Sequence, residues 1–122
     1  MSLIYHLATT ADWDRACRDR EYTTSTRDRT LAEEGFIHAS TAEQVAPVAN
    51  AFYRDVTDLL LLVIDTDRVA SAIRYEPVPG QALPYPHIYG PLNVDAVVEA
   101  RPFGPGPDGQ FSFDGENRPS KS

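Results

Sequence analysis

Gly35-Phe36-Ile37-His38-Ala39-Ser40-Thr41, continuing through Ala42-Glu43-Gln44-Val45 to Phe52, reads as a strand that runs straight into a helix. Residues 36–40 predict a short strand. Thr41 and Gln44 form a T-x-x-Q capping-box pattern, which predicts a helix starting at once. Val45, Val48, Ala49 and Phe52 recur at i, i+3, i+4 and i+7, so one helical face is apolar. Pro47 removes one backbone hydrogen bond in the second turn and predicts a bend. A histidine at the end of a strand, beside a helix N-terminus with free N–H groups, suits an anionic ligand group.

Outward from this stretch, Leu59-Leu60-Leu61-Leu62-Val63-Ile64 is apolar at both alternating sets of positions. Both faces are therefore covered, and a central strand is expected. Residues 3–8 predict a first strand, with His6 on the face of Ile4 and Ala8. Thr10 is a candidate cap for a helix over residues 11–19, with Trp13, Ala16 and Cys17 spaced to face inward. Residues 20–34 are polar, with one helical turn through Leu31, Ala32 and Glu33 that Gly35 ends. Further strands are expected over 73–78, around 87–90, and over 96–103. Strands without long intervening helices favour an α+β domain of antiparallel sheets. A single domain is expected over residues 1–103. Residues 104–122 are rich in Gly and Pro and predict a flexible tail on which Phe111 and Phe113 share one face.

Asp and Glu outnumber Lys and Arg by 18 to 11, for a formal charge of −7. General nucleic-acid binding, which draws its affinity from basic residues on phosphates, is not expected. Cys17 is the only cysteine, so neither an internal disulfide nor a cysteine metal cage is available. Three histidines without tight ligand spacing do not predict a metal site. No basic-plus-apolar leader and no membrane-length apolar run is seen, so a soluble cytoplasmic protein is expected. The oligomeric state is left open.

Candidate chemistry lies with His6, His38 and His87, each on or beside a predicted strand. Tyr89 shares a face with His87, and Ser40 with His38. Each histidine is equally well explained by a hydrogen bond to a backbone carbonyl, and Ser40 and Thr41 by helix capping. Arg74 and Glu76 alternate with Tyr75 and suit either a cleft or an exposed sheet face.

Ile4-Tyr5-His6, a helix holding Trp13, the Gly35 to Thr41 stretch, the leucine-rich strand, Tyr75-Glu76 and Pro86-His87-Ile88-Tyr89-Gly90-Pro91-Leu92 occur in that order. Over about residues 3–103 this pattern resembles the bacterial domain-of-unknown-function family numbered 952. The resemblance implies an ADP-ribosyltransferase-like fold: two small antiparallel sheets forming a cleft, with flanking helices. It implies NAD, ADP-ribose or another nucleotide-like ligand in that cleft, with NAD as substrate and not as a resident cofactor. On that reading His6 grips ribose, and Tyr53 or Tyr89 stacks on a ring. His38 with the helix end at Ser40 and Thr41 holds phosphate, and His38 or His87 acts as acid or base. Glu76 is the nearest acid to the position that supports the oxocarbenium ion. The alternatives are a non-catalytic module for a small metabolite or peptide, and a structural partner of a basic protein.

Overall fold

The computed structural model describes residues 2–113. Its centre is a three-stranded antiparallel sheet of β1 (Leu3–Thr9), β6 (Leu59–Asp65) and β10 (Val97–Pro102), with β6 in the middle. The doubly apolar pattern of β6 explains its place. Leu62 and Ile64 face one core, with Ile4, Ala8, Ile37, Ile88 and Leu92. Leu59, Leu61 and Val63 face another, with Tyr5, Leu7, Val45 and Ala49. His6 lies opposite Leu62 in the register, on the first face.

A second three-stranded antiparallel sheet, in the order β5 (Ile37–His38), β8 (Tyr85–Tyr89), β7 (Ala72–Glu76), packs on that first face. Ile37, Ile88 and Ile73 stand opposite one another and turn into the core. The alternate residues His38, His87 and Arg74 form the next row across the strands and point the other way. The two sheets meet through a single antiparallel bridge: Tyr5 N–H donates to Ser40 O at 2.8 Å, and Ser40 N–H to Tyr5 O at 2.7 Å. Two short pairs, β2 (Glu21–Tyr22) with β9 (Leu92–Asn93) and β3 (Thr24–Thr26) with β4 (Arg29–Thr30), complete the strands. The α+β expectation with small antiparallel sheets stands. The four strands between residues 21 and 30 and at 92–93 are too short to carry a readable period.

Helix α1 (Thr10–Asp19) is capped by Thr9, not Thr10: the Thr9 hydroxyl accepts from Asp12 N–H at 3.2 Å. Thr10 donates instead to the Asp58 carbonyl. Ala16 is buried and Trp13 packs on the core, but Cys17 is exposed, contrary to its expected inward position. Helix α2 (Leu31–Glu34) carries a full capping box between Thr30 and Glu33 and ends at Gly35 with φ 89°. The next helix, α3 (Val45–Phe52), starts three residues later than the T-x-x-Q pattern suggested, with Gln44 and not Thr41 at the N-cap position. Residues 42–44 form a turn in which Gln44 caps the Thr41 N–H (3.0 Å) and donates to Pro84 O (2.9 Å). The second bond ties Gln44 to the β7–β8 loop and holds it out of the helix.

Residues 104–113, expected to be part of a flexible tail, contribute Phe111 to the α3-side core at 3% exposure. That packing carries the body past residue 103, while residues 114–122 lie outside the described residues. Among the described residues no helix is long and apolar enough to cross a membrane.

Gly90, at φ 151°, closes β8 against Ser71. A Cβ there would lie 2.5 Å from the Ser71 hydroxyl, which donates to Pro91 O at 2.7 Å. Gly90→Ala is expected to cost about 2 kcal/mol through backbone strain and loss of that bond. Urea unfolding gives the measurement, and a loss below about 0.5 kcal/mol would show that the loop relaxes freely.

Candidate functional site

The three histidines converge on the seam between the sheets, but they face different surroundings. The His6 ring is buried, and both its nitrogens are taken. Nδ1 lies 2.5 Å from the His38 carbonyl and Nε2 2.9 Å from the Tyr22 hydroxyl. A carbonyl only accepts, so Nδ1 carries the proton and Tyr22 donates to Nε2. Burial is the main cause that lowers the His6 pKa to about 4, and the ring is neutral near pH 7. Burial also pushes the Tyr22 phenol well above its ordinary range. With no nitrogen free, His6 anchors β5 to β1, and the ribose-gripping role expected for it has no group to carry it. Tyr22, which the sequence reading passed over as part of a polar stretch, is its partner.

His38 borders a cleft of about 650 Å³ between the β1 edge, the C-terminal half of α3, the β3–β4 hairpin and the loop before β8. Its ring makes edge contacts with Phe36 at 4.8 Å and with His87 at 5.1 Å. Burial, then His87, lowers the His38 pKa, while Glu34 opposes the shift. Ser40 also lines the cleft, held by its backbone bridge to Tyr5. Thr41 lies outside the lining, with its N–H capped by Gln44 and its carbonyl accepting from Gln44 and Val45. The phosphate role expected for Thr41 at a free helix end therefore finds these groups engaged.

The hairpin wall is fixed by several bonds. Arg27 donates to both Asp55 carboxylate oxygens, at 2.6 and 2.8 Å, and to Phe52 O at 2.7 Å. The buried Tyr53 hydroxyl accepts from Arg27 N–H at 3.2 Å and lies 3.2 Å from the Thr26 hydroxyl. Tyr53 is thus a hairpin anchor at the cleft wall. The freely presented aromatic ring there is Phe52, 65% exposed. Glu34, paired with Arg29 at 2.9 Å, also lines the cleft. The sequence reading missed Phe52 and Glu34 as site residues. Glu34 lies four positions before His38, and that proximity was the only signal available.

Behind His38, on the same sheet face, His87 is 5% exposed and stacks on Phe36 with ring centres 4.1 Å apart. Its Nδ1 lies 2.7 Å from Glu76 Oε1, which also accepts from the Tyr89 hydroxyl at 2.6 Å. These two bonds, Tyr89 first, hold the Glu76 carboxyl below its usual range, and Glu76 in turn raises Tyr89. Arg74 lies over the Tyr89 ring at 5.5 Å. Arg74, Glu76, His87 and Tyr89 thus form one network, and none of them lines the cleft. His87 Nε2 is buried without a hydrogen-bond partner.

A smaller cleft of about 310 Å³ on the far side of Tyr53 is lined by Asp12, Asp28, Asp55 and Asp58 with several threonines, and by no histidine. Among the described residues no group of three or more His, Cys, Asp or Glu side chains is placed to hold a metal ion.

A family model described as "Protein of unknown function (DUF952)" matches residues 7–100. The crystal structure of protein CC0527 from Caulobacter crescentus superposes with a TM-score of 0.78 at 31% identity, covering 91% of this chain and 94% of that one. Its solution NMR structure gives a TM-score of 0.73 at 33% identity, covering 90% and 91%. No curated protein matches the chain.

Proposed function

The chain belongs to the DUF952 family, and we propose that its cleft binds a nucleotide-like ligand, with NAD or ADP-ribose as the working case, on an ADP-ribosyltransferase-like pair of sheets. One observation carries this reading. Where the two three-stranded sheets diverge from their single bridge, a cleft of about 650 Å³ opens. Its size suits a small-molecule ligand, and it combines apolar walls with a few convergent polar groups. His38 and Ser40 offer hydrogen bonds at the floor, Arg27 and Arg29 bring guanidinium groups to the hairpin wall, each paired with a carboxylate, and Phe52 with Tyr85 offers ring faces at the rim. If NAD is turned over, the reaction is transfer at the nicotinamide–ribose bond, helped by positioning and by placed charge.

A specific observation favours the second reading, a module that binds without turnover. Glu76, the acid expected beside the oxocarbenium ion, is held by His87 and Tyr89 and does not line the cleft. Calorimetric titration with NAD, ADP-ribose and AMP, together with chromatography for released nicotinamide, separates the two. Binding in the micromolar range, weakened roughly tenfold or more by His38→Ala (~1.4 kcal/mol or more), is expected. Binding without nicotinamide release selects the module. No heat from any of the three ligands rejects a nucleotide site.

A further inference from the structure

A strand edge without a neighbour presents a row of N–H and C=O groups to any other chain. Proteins blunt such edges with lysine, proline, bulges, short length or cover. In the two three-stranded sheets every outer strand but one carries such a device. β10 has a bulge between Val97 and Glu99 and ends on Pro102. β5 is two residues long, and the free side of β1 is bridged to Ser40. β7 has none of these. It pairs with β8 in unbroken register over all five of its residues and contains no lysine or proline. Among the described residues no strand lies on its other side.

The direction of the open groups follows from Pro86, the β8 residue opposite Tyr75. It has no N–H to give, and its carbonyl accepts from Ala39 N–H at 3.0 Å on the β5 side. An antiparallel residue turns both backbone groups to the same neighbour, and the direction alternates along the strand. Tyr75 and Ile73 therefore aim their N–H and C=O groups off the free edge, while Ala72, Arg74 and Glu76 bond to β8. The Tyr75 side chain is 52% exposed. Glu76 accepts from both His87 and Tyr89 through Oε1, which leaves Oε2 for a guanidinium. Arg74 lies over the Tyr89 ring and, among the described residues, forms no ion pair.

We propose that β7 pairs antiparallel with β7 of a second copy about a two-fold axis at Tyr75, joining two three-stranded sheets into one of six strands. Charge selects both partner and register. A two-fold axis at Arg74 or at Glu76 sets that residue against its own copy, and like charges directly opposite destabilise a strand pair. An axis at Ile73 sets both charges against alanines. An axis at Tyr75 sets Arg74 opposite Glu76 of the second copy, twice, with the two Tyr75 rings adjacent. Each Tyr75 N–H then donates to the other Tyr75 carbonyl, and each Ile73 N–H to the Pro77 carbonyl of the second copy. Pro77 has no N–H, so the ladder stops there. A surface complementary to itself closes as a two-fold dimer and does not grow into a filament. None of residues 72–76 lines the nucleotide cleft, so the pairing stands or falls apart from it.

The test is sedimentation equilibrium of the full-length protein from about 5 µM to about 1 mM. A monomer–dimer equilibrium is expected within that range, with Tyr75→Pro monomeric throughout. That substitution removes only an N–H that faces off the edge, so the β7–β8 ladder should survive, as the amide NMR spectrum will show. Arg74→Glu and Glu76→Arg each set like charges opposite and should weaken self-association roughly tenfold or more. An equimolar mixture of the two restores opposite charges across the axis and should associate as a one-to-one pair. In wild type, hydrogen exchange of the Ile73 and Tyr75 amides should slow roughly threefold from about 0.05 mM to about 1 mM. A monomer at the highest concentration, which leaves the edge to a strand of another protein, overturns the pairing. So does a dimer that Tyr75→Pro leaves intact, or a mixture that associates no better than its components.

Discussion

Replacing Leu62 by alanine is expected to lower stability by about 3 kcal/mol and the unfolding midpoint by about 12 °C. Leu62 is fully buried in the middle strand, with His6 on one neighbouring strand and Ala100 on the other. Removing its three outer carbons opens a cavity in the core shared by both sheets. Rigid strand pairing on both sides leaves little room for collapse, which keeps the cost within the usual range for a buried leucine. Val98, 46% exposed at the β10 bulge, is the control, and Val98→Thr should change stability by about 0.5 kcal/mol or less. Urea denaturation of both variants gives the comparison. A Leu62→Ala loss under about 1 kcal/mol would contradict a central β6.

The second large effect is loss of stability in acid, and it comes from His6. Its folded pKa of about 4 lies below the ordinary 6.5, so the unfolded chain binds a proton that the native ring refuses. Between those two values the unfolded state holds more protons, and stability must fall as pH falls. The full change across the window is about 3 kcal/mol, of which about 2 kcal/mol appears between pH 7 and pH 5. His38 is lowered as well and adds to the slope in the same direction. Carboxylates held below their usual range, such as Glu33, begin to titrate only below this interval. The check is the unfolding free energy in urea at pH 7 and pH 5 for wild type and His6→Gln. The variant will be weaker at pH 7, having lost the bonds to Tyr22 and His38, but its slope between the two values should be much flatter. An equal slope would mean that the ring is protonated in the native state.

The sequence made the central strand readable because six successive apolar residues demand cover on both faces, and that demand does not depend on context. It also showed the first strand, and it placed a strand and a helix around His38, because period and turn chemistry are local. The start of α3 was not readable in the same way. Gln44 has the right identity for a capping box, yet its side chain also reaches the carbonyl of Pro84, forty residues away. For the site, His38 and His87 share a ring contact and His6 is bonded to the His38 carbonyl, but nothing in the sequence distinguished their surroundings. Whether an imidazole is satisfied internally or left open depends on partners such as Tyr22, which only the tertiary arrangement supplies. The exposed Phe52 was counted with the apolar helical face because periodicity cannot tell the last turn of a helix from its buried turns.

Asn50 gives the segment after β10 a particular standing. Its side-chain amide donates to Phe111 O at 3.1 Å and accepts from Phe111 N–H at 2.8 Å, so one side chain pairs with the backbone as a neighbouring strand would. A polypeptide shortened to the family-matched span would leave that amide facing water and uncover Tyr53 and its apolar surroundings. Expression boundaries for this protein therefore belong beyond Phe113, and an affinity handle is better joined there than spliced into the Phe103-to-Phe111 crossing.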